Sequence, residues 1–110
     1  MERETLDRLK QAAAEEVAVH IPGLLKAMKE EGLQEEAVEL LKRYPTESTA
    51  HIEEALLADD MHLKGILLRK IVPALPFYSK MVVADAVEQI ASAPGELQQS
   101  AREALQSFEP

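Results

Sequence analysis

The side chains of this sequence with chemistry to offer are three histidines, five adjacent carboxylate pairs and a set of lysines and arginines. A zinc site wants three convergent ligands, often including two histidines one helical turn apart. His20, His51 and His62 supply no such pair, so no metal and no other cofactor is expected. The carboxylate pairs are Glu15 with Glu16, Glu30 with Glu31, Glu35 with Glu36, Glu53 with Glu54 and Asp59 with Asp60. Acid–base work by two carboxylates requires a shared cavity that drives their pKa values apart. Most of these pairs fall at helix starts or on outward faces, where solvation and the helix dipole account for them. Ser48, Ser79, Ser92, Ser100 and Ser107 lack the glycine-flanked setting of an activated nucleophile. The residue types point away from an enzyme.

The cations are more informative. Lys64 falls between Leu67 and Leu68 on a helical wheel, so its stem should lie along apolar neighbours while its ammonium reaches outward. Asp60 precedes it by four residues, an acid-before-lysine order that favours a helical pair worth about 0.2–0.5 kcal/mol. The alternative role for Lys64 is a cation lining a groove. Lys42, Arg43, Arg69 and Lys70 lie on different helices from most of the acids, and His62 stands beside Lys64. A solvated face is one reading of that segregation, and a ligand-binding strip is the other.

Twelve basic against twenty acidic residues give a net charge of −8, which repels phosphate backbones and argues against general nucleic-acid binding. Tyr44, Phe77, Tyr78 and Phe108 are too few to stack on single-stranded bases. None of the four glycines sits in a phosphate-cradling loop. There is no cysteine, the amino-terminal MERETLDRLK is too charged for a secretory leader, and no run approaches the ~20 apolar residues that span a bilayer. A cytoplasmic protein without a membrane partner is expected. At 110 residues and 46% apolar content, the chain suffices for one domain with an ordinary core.

Helix signals position these residues throughout, and no segment alternates as a strand would. The central element is Asp59 to Pro76, DDMHLKGILLRKIVPALP, read as one helix. Asp60 is its N-cap, and Pro73 and Pro76 close it. Leu63, Leu67, Leu68, Ile71, Val72, Ala74 and Leu75 sweep out about half its circumference, so it should be covered on two sides. Met1 to Ala13 forms a polar end helix carrying Leu6 and Leu9. Ala14 to Glu30 reads as a second helix, which Pro22 either kinks or begins at Ile21, with Gly32 as its stop. Gln34 to Arg43 follows, then Thr46 to Ala58 with Thr46 or Ser48 as cap. Phe77 to Ser92 carries Met81, Val82, Val83, Ala86, Val87 and Ile90, and Glu96 to Phe108 ends the chain.

The sequence also matches itself. Ile21, Leu24 and Leu25 stand opposite Ile52, Ala55 and Leu56 at a shift of 31, and these opposite Val83, Ala86 and Val87 at the same shift. Two helices per unit at that period is the arithmetic of a helical solenoid. The expected divisions are an end helix at 1–13 and hairpins at 14–45, 46–76 and 77–110.

The units resemble HEAT repeats. More narrowly, RYPTESTAHIEEALLADD, HLKGILLRKIVPALP and the IASAP punctuation resemble a family of small bacterial HEAT-like proteins described as a domain of unknown function. The likeness covers Val17 to Leu105 and is most specific at Tyr44–Pro45, Asp59–Asp60, Lys64 and Leu75–Pro76. Leu63, Gly65 and Ile66 stand where that family is rich in aromatics. The resemblance implies an all-α fold, a short right-handed α-α superhelix of about three HEAT-like hairpins after an N-terminal helix. In such arrays second helices line the concave side, which would gather Lys42, Arg43, His62, Lys64, Arg69 and Lys70 into an interaction surface. The expected function is a non-catalytic protein–protein interaction module, with an inhibitor or immunity-type role as one version. Its partner is an unidentified protein, and a second copy of the chain is another candidate. The alternative is a binder of nucleic acid or a phosphorylated ligand through the basic strip.

Overall fold

A computed structural model describes residues 1–108, so the last two positions of the third expected hairpin lie outside it. All regular elements among these residues are helical. They are α1 (Arg3–Leu9), α2 (Ala14–Val19), α3 (Ile21–Ala27), α4 (Gln34–Arg43), α5 (Pro45–Leu57), α6 (Met61–Ile66), α7 (Phe77–Ser92) and α8 (Gln98–Gln106). No helix among them is long and apolar enough to cross a membrane.

The helices pack in two layers. One runs from α2 and α3 to α5 and on to α7, and the other runs from α4 to the segment following α6 and on to α8. The molecule measures 39 × 27 × 19 Å, and its least dimension is that of two helices of about 10 Å each. The residues preceding α2, α5 and α7 are Ala13, Tyr44 and Pro76, so the first-layer helices start at intervals of 31 and 32 residues. Ile21, Ile52 and Val83 are all fully buried. Leu6 and Leu9 of α1 are buried too, so its narrow apolar stripe suffices to cover one end.

Three polar contacts between successive segments span nearly the same interval. Lys29 pairs with Asp60, the Tyr44 hydroxyl donates to Ala12 O, and the Thr46 and Tyr78 hydroxyls bond each other at 2.7 Å. In the buried seam between α5 and α7, the Thr49 and Ser79 hydroxyls bond each other at 2.7 Å. Gln34 and Gln98, each the first residue of a second-layer helix, use their side-chain amides alike: Nε2 donates to Met28 O at 3.0 Å and to Ala91 O at 3.2 Å. Each therefore satisfies a carbonyl left open near the end of the preceding helix.

Several boundaries differ from expectation for local reasons. The expected 14–30 helix is broken at His20, whose φ of −99° and ψ of 4° leave the helical region, and Pro22 occupies the first turn of α3. A missing amide costs nothing there. Gly32 lies beyond the helix end, in the turn to α4, where its φ of +89° favours glycine. Neither Thr46 nor Ser48 caps α5. Pro45 is already its first residue, and Ser48 Oγ instead donates back to Tyr44 O at 2.8 Å. The expected continuous helix over 59–76 is α6 followed by a π turn at Leu67–Ile71 and a 3₁₀ turn at Val72–Ala74. Pro73 supplies no amide and its ring clashes with the carbonyl four residues back, so an α-helix cannot run through it. The wider turn instead bonds the Val72 amide to Leu67 O. Asp60 does cap α6, accepting from the Leu63 amide at 3.1 Å. The apolar face that follows is buried from Leu63 to Val72, save Ala74 beyond it, and is covered by α4 on one side and α8 on the other.

Candidate functional site

The six expected surface residues are divided among separate places. Lys42 from α4 and Arg69 and Lys70 from the π turn line one groove of about 640 Å³, with Glu35, Glu39 and Pro73 on its walls. The π turn matters here, because it sets the register at which Arg69 and Lys70 leave the backbone. Gly65 matters as well. A Cβ at that position would stand 2.9 Å from Arg69 Nη1, so the guanidinium lies across bare backbone one turn earlier. Lys42 Nζ reaches Glu39 at 3.3 Å and Lys70 Nζ donates to Gln34 Oε1 at 3.2 Å, so two of the three cations already have local partners.

Arg43 turns the other way. Its Nη1 donates to Lys10 O at 3.2 Å and helps hold α1 against α4. His62 is exposed and lines a different groove, shared with Arg3, Lys29, Gln34 and Glu36. Lys64 faces a third groove between the α5–α6 and α7–α8 hairpins. The expected pair of Lys64 with Asp60 is not formed, because Asp60 is engaged by Lys29 from the preceding hairpin. The Lys29 ammonium first, and the Leu63 amide second, hold the Asp60 carboxyl below the usual aspartate range.

The tightest charge cluster borders the groove that holds His62 and Lys29. Glu36 accepts from Lys10 Nζ at 2.6 Å and pairs with Arg3, whose Nη2 also donates to Gly32 O at 2.8 Å. Those two cations, Lys10 foremost, depress the Glu36 pKa, while Glu36 and then Asp7 raise that of Lys10. Each member is explained by its role in tying α1 down. Among the described residues no three histidine, aspartate or glutamate side chains gather as a metal site. His20 is spent at the helix break and His51 is half-buried on α5.

The largest departure from expectation is apolar. Met81 and Val82 belong to the expected stripe of α7, but they are 57% and 46% exposed, beside Phe77 at 70% and Tyr78 at 52%. The buried side of α7 runs through Ser79, Val83, Ala86 and Val87. At about 100° per residue, Val82 stands a quarter-turn from Val83 and Met81 over half a turn away, a signal already present in the spacing. The large exposed apolar residues, Val19, Leu57, Met61, Phe77, Tyr78, Met81 and Val82, all lie on first-layer helices or at the first residue of α6. The exposed side of the second layer is charged, with Glu35, Glu39, Lys42, Arg69, Lys70, Arg102 and Glu103.

None of the curated proteins compared with the chain matches it. The sequence does match a protein family over residues 1–107, and the chain belongs to that family, a domain of unknown function designated DUF5071.

Proposed function

We propose that the chain is a non-catalytic protein-interaction module, a short HEAT-like stack whose first layer docks another protein. The observation that carries this reading is the cluster of Phe77, Tyr78, Met81 and Val82, four large apolar side chains within two turns of one helix, each at least 46% exposed. Contiguous exposed apolar surface on a charged protein marks an interaction site. Burying it against a partner gains roughly 25 cal/mol per Å² of apolar surface. The net charge of −8 would steer a basic partner to it, which is the inhibitor-type version of the reading.

The test compares immobilised wild-type protein with the double variant Phe77→Asp, Met81→Asp as baits in native lysate. Proteins retained by the first and lost by the second support the reading, and identical retention by both refutes it. Sedimentation velocity of the two forms shows whether the partner is a second copy.

A second reading rests on the convergence of Lys42, Arg69 and Lys70 in one groove. It is a phosphorylated ligand held by those cations. Glu35 and Glu39 on the same walls oppose it. Alanine at all three cations abolishes salt-dependent binding of a phosphate ligand and leaves an α7-mediated contact intact.

A further inference from the structure

The groove between the α5–α6 and α7–α8 hairpins differs from the others in its charge. The grooves that hold His62, Arg69 and Arg43 all share Glu35 and contain further glutamates. This one has no carboxylate in its lining. Its walls are more apolar than polar, with Leu57, Met61, Ile90 and Pro94 beside the amides of Gln89 and Gln98, and Lys64 is its single cation. Leu57 and Met61 are 55% and 48% exposed, so the wall is unfilled.

Lys64 is half-buried, and among the described residues its ammonium has no ion-pair partner. The nearest acid in sequence register, Asp60, is taken by Lys29 and by the Leu63 amide. A cation against an apolar wall has lost part of its hydration and gains most from a counter-charge arriving with a ligand. The groove volume, about 330 Å³, lies at the small end for ligand sites. It accommodates a side chain or two with an anionic group, and it is too small for a docked helix.

We propose that this groove binds the carboxyl terminus of a partner polypeptide, with an apolar final side chain against Leu57, Met61 and Ile90 and the terminal carboxylate on Lys64. A long acyl carboxylate shares the charge but needs an enclosed tunnel, whereas this groove is open along its side. The assignment rests on the interaction-module reading for the nature of the partner and not for the place of contact, which is distinct from the Phe77–Val82 face.

The probes are N-acetyl-Leu-Leu with a free carboxylate, its C-terminal amide, and octanoate, each titrated into isotope-labelled full-length protein and followed by amide chemical shifts. Saturable shifts at Met61, Lys64 and Ile90 with the free acid are expected. Affinity should be about fivefold weaker for the amide, and about fivefold weaker for the acid on Lys64→Met, the range of one partly exposed ion pair. Lys64→Arg, which keeps the charge, should retain binding and guards against a folding defect in the methionine variant. Equal affinity for acid and amide, equal or tighter binding of octanoate, or no saturable shift in the groove overturns the proposal. Shifts confined to Phe77–Val82 also overturn it, yet leave the interaction-module reading standing; that reading fails separately, through unchanged capture by the α7 variant.

Discussion

Asp60 and Lys29 are ion-paired across the junction of two hairpins, and the same carboxylate is the N-cap of α6. One side chain thus fixes both where a helix starts and how it sits on its predecessor. Both partners are about one-third exposed, so the pair itself contributes little. The cap contributes more. Asp60→Ala should cost about 1 kcal/mol. Lys29→Met, and Asp60→Asn, which keeps an acceptor for the Leu63 amide, should each cost less than about 0.5 kcal/mol. Urea midpoints of the three variants check the order, and a Lys29 variant as damaged as Asp60→Ala would reverse it.

The acid limb of stability should be set by Glu36 and Asp60. Both carboxyls are held below their ordinary pKa, Glu36 by Lys10 and Arg3 and Asp60 by Lys29 and the Leu63 amide. A depressed carboxyl stabilises the fold above its unfolded pKa, about 4.3 for glutamate and 3.9 for aspartate, and that stability is lost as pH falls through the folded value. Lys10 acts in the opposite sense. Its pKa is raised, so its contribution is present below the unfolded value of about 10.4 and is lost as pH rises through the folded one. Urea midpoints measured against pH should therefore plateau near neutrality and fall at both extremes. Glu36→Gln should flatten the acid limb and, less strongly, the alkaline one, since it removes the first of the two partners of Lys10 and leaves Asp7. Unchanged slopes in that variant would show that the cluster is electrostatically idle.

Much of this arrangement is legible in the sequence, and the exceptions have causes. Gln34–Arg43 and Phe77–Ser92 can be bounded to the residue, because Gly32, Pro45, Pro76 and Pro94 punctuate them. The shift of 31 correctly puts Ile21, Ile52 and Val83 into the core. The π turn is not legible as such: Pro73 announces a disruption but does not say how the backbone resolves it. Lys64 and Asp60 look like partners at helical spacing, yet an ammonium 31 residues away in the preceding hairpin takes the carboxylate. Local spacing reports which pairs are geometrically possible within a helix, and tertiary competition decides which one forms. The dispersal of Arg43, His62 and Lys64 into three different settings has the same origin.

Of the two hydroxyl pairs that join α5 and α7, Thr46 with Tyr78 is exposed and Thr49 with Ser79 is buried. Ser79 is fully buried and Thr49 nearly so. Thr49→Val keeps the shape but leaves the Ser79 hydroxyl without that partner, at a cost of about 1–3 kcal/mol. Removing both, with Thr49→Val and Ser79→Ala, should recover part of the loss, because two matched apolar groups need no hydrogen bond. A double-mutant cycle by equilibrium denaturation gives the coupling. Additive losses would mean that the two hydroxyls are uncoupled and each is satisfied elsewhere, as Thr49 also is at Pro45 O.

Gly65 tests whether the Arg69 position is permitted or enforced. Glycine inside a helix costs about 1 kcal/mol relative to alanine, so Gly65→Ala carries an intrinsic gain. The added Cβ would meet Arg69 Nη1 at 2.9 Å, and that atom is the far end of a flexible side chain. If the guanidinium swings outward, the gain is realised and the melting temperature rises. If neighbours pin Arg69 in place, overpacking at this buried site costs about 1–3 kcal/mol and the melting temperature falls. The expected result is a rise, since Arg69 is exposed and free to move. The same variant then separates the two functional readings: displacing Arg69 weakens any phosphate ligand that uses the guanidinium with Lys42 and Lys70, while partners recognised through Phe77 and Met81 are captured as before. A more stable protein that binds inorganic pyrophosphate less tightly would favour the phosphate groove; stabilisation with no pyrophosphate binding in either form would leave the apolar face of α7 as the working surface.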